Sequence, residues 1–166
     1  MRRVLIGVVG VALIAGTVPA IAYAPSPDDA VHTYRVGSAY VSLAARHAEI
    51  GDGRISRSWS MDGGSVETTS LTGPGGTEWA RPAPDFKLTV GIDGVTTSST
   101  TGWTLADVKA VHTKQAVGLD FSYTLVNQAV PGGVTLKREV RLRPGRSDMS
   151  VTSTLRSLVL LRIPSY

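Results

Sequence analysis

The property that most narrows the folds open to this chain is alternation. After Asp29 no stretch sustains a helical period, whereas apolar and polar residues exchange places again and again. Phe86, Leu88, Val90 and Ile92 fall on one side, with Lys87 and Thr89 on the other. Leu119, Phe121, Tyr123 and Leu125 alternate with Asp120, Ser122 and Thr124. Val134, Leu136, Val140 and Leu142 share a face that Arg138 interrupts, and Thr135, Lys137, Glu139, Arg141 and Arg143 take the opposite one. Met149, Val151 and Leu155 make a shorter run. Successive side chains of a strand point to opposite faces, so each segment can bury one face and wet the other, the habit of antiparallel sheets. Turn residues separate the runs: Gly51-Asp52-Gly53, Asp62-Gly63-Gly64, Gly73-Pro74-Gly75-Gly76, Asp93-Gly94, Pro131-Gly132-Gly133 and Pro144-Gly145. Asp93-Gly94 suits a tight type I′ hairpin. Residues 106–110 have the composition of a helical turn, but Thr104 and Val111 beside them argue for a strand. The pattern predicts an all-β antiparallel sandwich of about ten or more strands.

A different signal opens the chain. Arg2 and Arg3 precede an apolar run from Val4 to Ala15, Pro19 ends it, and Ala22-Tyr23-Ala24 has the small-x-small pattern of a cleavage site. Residues 1–24 therefore read as a secretory signal peptide, a helix cleaved after Ala24, and the protein as secreted to the bacterial wall or medium. The apolar run falls short of the ~20 residues that span a bilayer, so no membrane attachment is expected after cleavage. Residues 25–38 read as linker and first strand, and 39–166 as the sandwich. The whole chain carries 17 Lys+Arg against 13 Asp+Glu, a net charge of +4. The leader holds two of those arginines and no acid, so the mature chain falls to +2. An electrostatic case for nucleic-acid binding fails at that point. The apolar stretch 158–163 reads as a buried strand, and the stop soon after it suggests a domain cut from a longer polypeptide.

Chemistry is sparse in the sequence. With no cysteine, disulfides, thiolate metal sites and cysteine nucleophiles are excluded. His32, His47 and His112 have no metal-ligand spacing, and neither a metal nor another cofactor is expected. No G-x-S-x-G elbow occurs, and Gly73–Thr77 lacks the G-K-[ST] ending of a phosphate loop, so it reads as a connection between strands. Asp52, Asp62, Glu67, Glu78, Asp85, Asp93, Asp107, Asp120, Glu139 and Asp148 are scattered over turns and strand faces. Most are expected to be solvated or to end strands, and none is assigned a catalytic role. Trp59 alternates with Ile55 and Met61 and reads as core. Trp79 lies among loops and charges. An indole there can stack on a sugar, with Glu78 and Arg81 taking its hydroxyls, or it can be buried like other sandwich aromatics.

The segments also form an ordered set. Gly51-Asp52-Gly53-Arg54-Ile55-Ser56-Arg57-Ser58-Trp59 is followed by Thr68-Thr69-Ser70-Leu71, Glu78-Trp79, Pro84 to Val90, Asp93-Gly94, Gly133 to Val140 and Arg143-Pro144-Gly145. This order resembles the N-terminal β-supersandwich of α-galactosidase-like (melibiase-like, family 36) glycoside hydrolases of actinobacteria, over nearly all of the chain from about Ala39. The resemblance implies a non-catalytic domain that precedes a (β/α)8 barrel. The barrel supplies both catalytic aspartates of a retaining mechanism and has no counterpart in this chain, so the chain alone is expected to be inactive. The implied partners are an oligosaccharide or polysaccharide and the missing barrel or an oligomer partner. The alternative is a free-standing secreted carbohydrate-binding or cell-wall sandwich.

Overall fold

The computed structural model describes residues 31–90, 95–127 and 130–157. The signal peptide with Ala22 and Ala24, the Pro25–Asp29 linker, Ile92, the Asp93-Gly94 turn and the apolar stretch 158–163 lie outside the described residues.

Twelve strands occur among the described residues, and the only helical element is a single 3-10 turn at Pro74–Gly76. The all-β antiparallel sandwich expected from alternation is what forms. Strands β1 (His32–Val36), β2 (Ala39–Ala44), β3 (His47–Gly51), β4 (Ser56–Asp62), β5 (Ser65–Thr72) and β6 (Ala83–Pro84) make one antiparallel sheet in chain order. A short hairpin follows, β7 (Lys87–Val90) with β8 (Val95–Ser98). Then β9 (Trp103–His112), β10 (Val117–Asn127), β11 (Val130–Leu142) and β12 (Ser150–Ser157) form a four-stranded antiparallel sheet, again in chain order. Neighbours in sequence are neighbours in space because the connections are short turns. Gly63 and Gly64 both take positive φ, 57° and 83°, and close the β4–β5 hairpin as a two-residue type I′ loop. At the β3–β4 turn Asp52 accepts the amides of Arg54 (2.9 Å) and Ile55 (3.2 Å) on one carboxylate oxygen.

The inward faces are those that alternation marks. Leu119, Phe121, Tyr123 and Leu125 are all buried, as are Val134, Leu136, Val140 and Leu142. Trp59 is fully buried, with Ile55 and Met61 on its face, and its ring centroid lies 5.4 Å from that of Phe121 across the interlayer space. Strands β1, β2, β3 and β5 pack on β9 and β10. Main-chain bonds also join the layers: the Leu105 amide donates to Gly64 O (2.7 Å) and the Val66 amide to Ser99 O (3.0 Å).

Two bulges alter the face assignment locally. Trp59 faces Thr68 while Ser58 faces Ser70, so Thr69 is an extra residue in β5, and Leu71 rather than Ser70 comes opposite Arg57. Likewise Ser122 faces Asp107 and Tyr123 faces Leu105, leaving Ala106 extra in β9. Residues 106–110 are strand, as their neighbours suggest. The Pro131-Gly132-Gly133 signal does not end a strand. It lies inside β11, where Leu125 pairs with Val134 and Asn127 with Val130. A local insertion with Gly133 at φ 75° absorbs the turn-forming residues without breaking the ladder. Val151 and Leu155 are 41% and 50% exposed, so the last alternating run has an apolar side that the sandwich leaves open.

Candidate functional site

The densest polar constellation is inside the sandwich and centres on Asp85. Its backbone is fixed first: the Asp85 amide donates to Ser99 Oγ (2.6 Å), and that hydroxyl donates to Val66 O (2.6 Å). The side chain is completely buried. Oδ1 accepts from Arg57 Nη2 (2.7 Å), from Trp59 Nε1 (2.8 Å) and, at a longer 3.4 Å, from Thr68 Oγ1. Oδ2 lies 2.9 Å from Arg138 Nε and accepts a long 3.5 Å bond from Tyr123 OH. The Arg138 contact is one of charge: the buried Nε–H has no hydrogen-bond acceptor. Arg57 reaches in from β4 and Arg138 from β11, so the two guanidiniums approach one carboxylate from opposite layers. Each also lies over an aromatic ring, Arg57 over Trp59 at 4.9 Å and Arg138 over Phe86 at 5.2 Å.

The electrostatics follow from burial. Desolvation, followed by the charge of Asp85, pushes the Tyr123 hydroxyl far above the ordinary phenol range, so it stays a neutral donor. Desolvation likewise lowers Arg57, opposed by Asp85. The oxygens of Asp85 thus accept from four donors, and Arg138 adds a second cation beside them. Geometrically this is a clamp between layers.

The expected sugar-contact residues lie elsewhere, on the connection after β5. Trp79 is 54% exposed. Its ring rests on Gly73: a Cβ there would come within 1.9 Å of Trp79 Cζ2. The Trp79 amide donates to Leu71 O (2.7 Å), so the indole is fixed to the strand with its remaining surface toward solvent. Glu78 turns back onto β5. Its Oε1 accepts the amides of Leu71 (2.7 Å) and Ala80 (3.3 Å), and its Oε2 the hydroxyl of Ser70 (2.6 Å). The Ser70 hydroxyl, then the Leu71 amide, hold the Glu78 carboxyl below its ordinary range. Three of about four acceptor positions of a carboxylate are thereby filled, and one is open. Arg81 is exposed and makes no hydrogen bond or ion pair among the described residues. Glu78 is thus first a staple of the loop, Trp79 an open platform and Arg81 an uncommitted cation.

A separate polar cleft of about 420 Å³ lies between the β9–β10 and β11–β12 turns, lined by Gln115, Arg141, Arg143, Arg146 and Asp148 among others. Among the described residues no three His, Asp or Glu side chains gather as a metal site, and no helix is long and apolar enough to cross a membrane.

Sequence reasoning missed the centre. Arg57 alternates with Ile55, Trp59 and Met61, and Arg138 with four buried aliphatics, so a cation on each apolar face was the available signal. Asp85 offered none, since its partners come from distant strands. Comparison with family models, curated proteins and solved structures gives no match.

Proposed function

We propose that this chain is the non-catalytic, sugar-contacting forepart of a secreted α-galactosidase-like glycoside hydrolase, with the reaction performed by a separate (β/α)8 barrel. The observation that carries the sugar contact is the Trp79 platform. An indole held flat on a glycine, with the other face open, presents an apolar surface to the C–H side of a pyranose at little entropic cost. The spare acceptor position of Glu78 and the free guanidinium of Arg81 supply partners for hydroxyls. The commitment of Asp85 to its clamp supports a binding role over an acid–base one, because glycoside hydrolysis requires two available carboxyl groups facing one bond. The hydrolase assignment rests on the ordered segments that resemble the β-supersandwich.

Titration with galactosides and galactans, followed by tryptophan fluorescence, tests the contact. Trp59 and Trp103 are buried, so a saturable change that disappears in Trp79→Ala and persists in Trp59→Phe is expected. No response to any glycan would remove the sugar-binding reading. Reading the coding DNA beyond Tyr166 tests the second half: an in-frame barrel supports the forepart, and its absence favours a free-standing binding protein.

A further inference from the structure

The edge of β12, unpaired among the described residues, is unlike the other sheet edges. Natural edge strands are kept from pairing by charge, proline, bulges or brevity. The opposite edge of the same sheet, β9, carries a bulge at Ala106 and the charged pair Asp107–Lys109. In the six-stranded sheet, β1 has five residues with Arg35 among them, and β6 has two, one of them Pro84. Strands β7 and β8 have four residues each. By contrast β12 has eight residues, Ser-Val-Thr-Ser-Thr-Leu-Arg-Ser, with one charge and no proline or glycine. It follows β11 without a bulge from Ser150 to Ser157, and no strand among the described residues occupies its other side.

The faces of β12 carry the rest of the case. Residues directly opposite in an antiparallel ladder share a face. Leu155 opposes Leu136, Ser153 opposes Arg138 and Val151 opposes Val140, so these three belong to the inner side. Their strand overhangs the other layer, which packs on β9 and β10, and this leaves Val151 and Leu155 exposed. We infer that the β12 edge pairs with the β12 edge of a second copy of this chain, joining two four-stranded sheets into one across a two-fold axis at Ser153. Among two-fold registers within β12, that one gives both apolar residues an apolar partner. It places Val151 opposite the second copy's Leu155 twice over, Ser153 opposite its own copy, Thr152 opposite Thr154, and Arg156 opposite Ser150. A register centred on Thr154 sets both apolar residues opposite serines, and one centred on Thr152 sets Val151 opposite Ser153 and leaves Leu155 facing only Met149, outside the strand. No like charges meet, and the interface is isologous, as closed dimers require.

The absence of cysteine makes the test direct. The full chain is expected to run at twice its mass in light scattering after chromatography and to dissociate on dilution. Ser153→Cys, at the axis, should cross-link to a covalent dimer under mild oxidation, whereas Thr154→Cys, which faces Thr152, should cross-link at least about tenfold more slowly. Val151→Lys and Leu155→Glu should each weaken association by at least about tenfold, a loss of about 1.4 kcal/mol. The double variant sets each lysine opposite a glutamate and should recover the dimer. A full chain that stays monomeric at ~100 μM, as it would if residues 158–166 or another segment covered the edge, overturns the inference. So does equal cross-linking of the two cysteine variants, or a double variant no better than either single one.

Discussion

At the scale of single residues, the decisive arrangement is one fully buried carboxylate serving two cations. Removing one member of a buried ion pair strands the others, at a cost of roughly 3–5 kcal/mol. Asp85→Asn keeps the shape and removes the charge between Arg57 and Arg138. Its midpoint in urea should therefore fall by a stability loss of that size, a large share of what holds a small domain together; a loss under ~1 kcal/mol would show that the clamp holds nothing. Tyr40 sets the alkaline limit. Burial, then the hydrogen bond to Glu49, raises its hydroxyl to about 12. The folded state keeps this proton where the unfolded chain, titrating near 10, has begun to lose it. The stabilisation is complete below pH ~10 and disappears as pH rises through about 12. Tyr40→Phe should flatten this part of the stability profile, and Tyr123, raised in the same direction, should leave a remainder. Little of this was legible beforehand. Arg138 stood out as an intruder among aliphatics, but an intruder's partner is a tertiary fact, and Asp85 looked like any polar residue before a strand.

At the scale of the strands, alternation located the buried faces of β4, β10 and β11 because each lies against one wet and one dry side. It failed where a residue is inserted. The extra Thr69 and Ala106 change the inward parity halfway along β5 and β9, and nothing in residue type announces a bulge. Pro131-Gly132-Gly133 misled in the other direction, since residues that favour turns also suit an irregularity inside a long strand. Gly118 shows why a poor strand former can sit mid-strand. A Cβ there would lie 2.5 Å from Val140 O and 2.6 Å from Arg141 Cδ, so the missing side chain is the slot in which Arg141 lies. From that slot Arg141 reaches Asp120 (2.6 Å), Glu139 (3.4 Å) and the Leu119 carbonyl (3.2 Å). Gly118→Ala, although better for strand propensity, should destabilise by about 1–3 kcal/mol through overpacking, measured in urea. Gly118→Ala combined with Arg141→Ala should recover part of that loss, because one of the two obstructions is gone.

At the scale of the molecule, two layers meet over a shared apolar interior, and fold class was the part most readable from the letters. What joins the layers was not readable: the Asp85 clamp, and the main-chain bonds from Leu105 to Gly64 and from Val66 to Ser99. Main-chain bonds between layers are independent of side-chain identity, so no substitution pattern can signal them. They give the protein a spine. On that flank the sandwich is stitched backbone to backbone, while on the flank of β12 one layer extends past the other. Fluctuations that part the layers should begin at the unstitched flank, as a book opens away from its binding. In the dissociated monomer, deuterium uptake should then reach the β12 amides first and those of Val66 and Leu105 last, near the rate of global unfolding; early exchange at Leu105 would place the binding elsewhere.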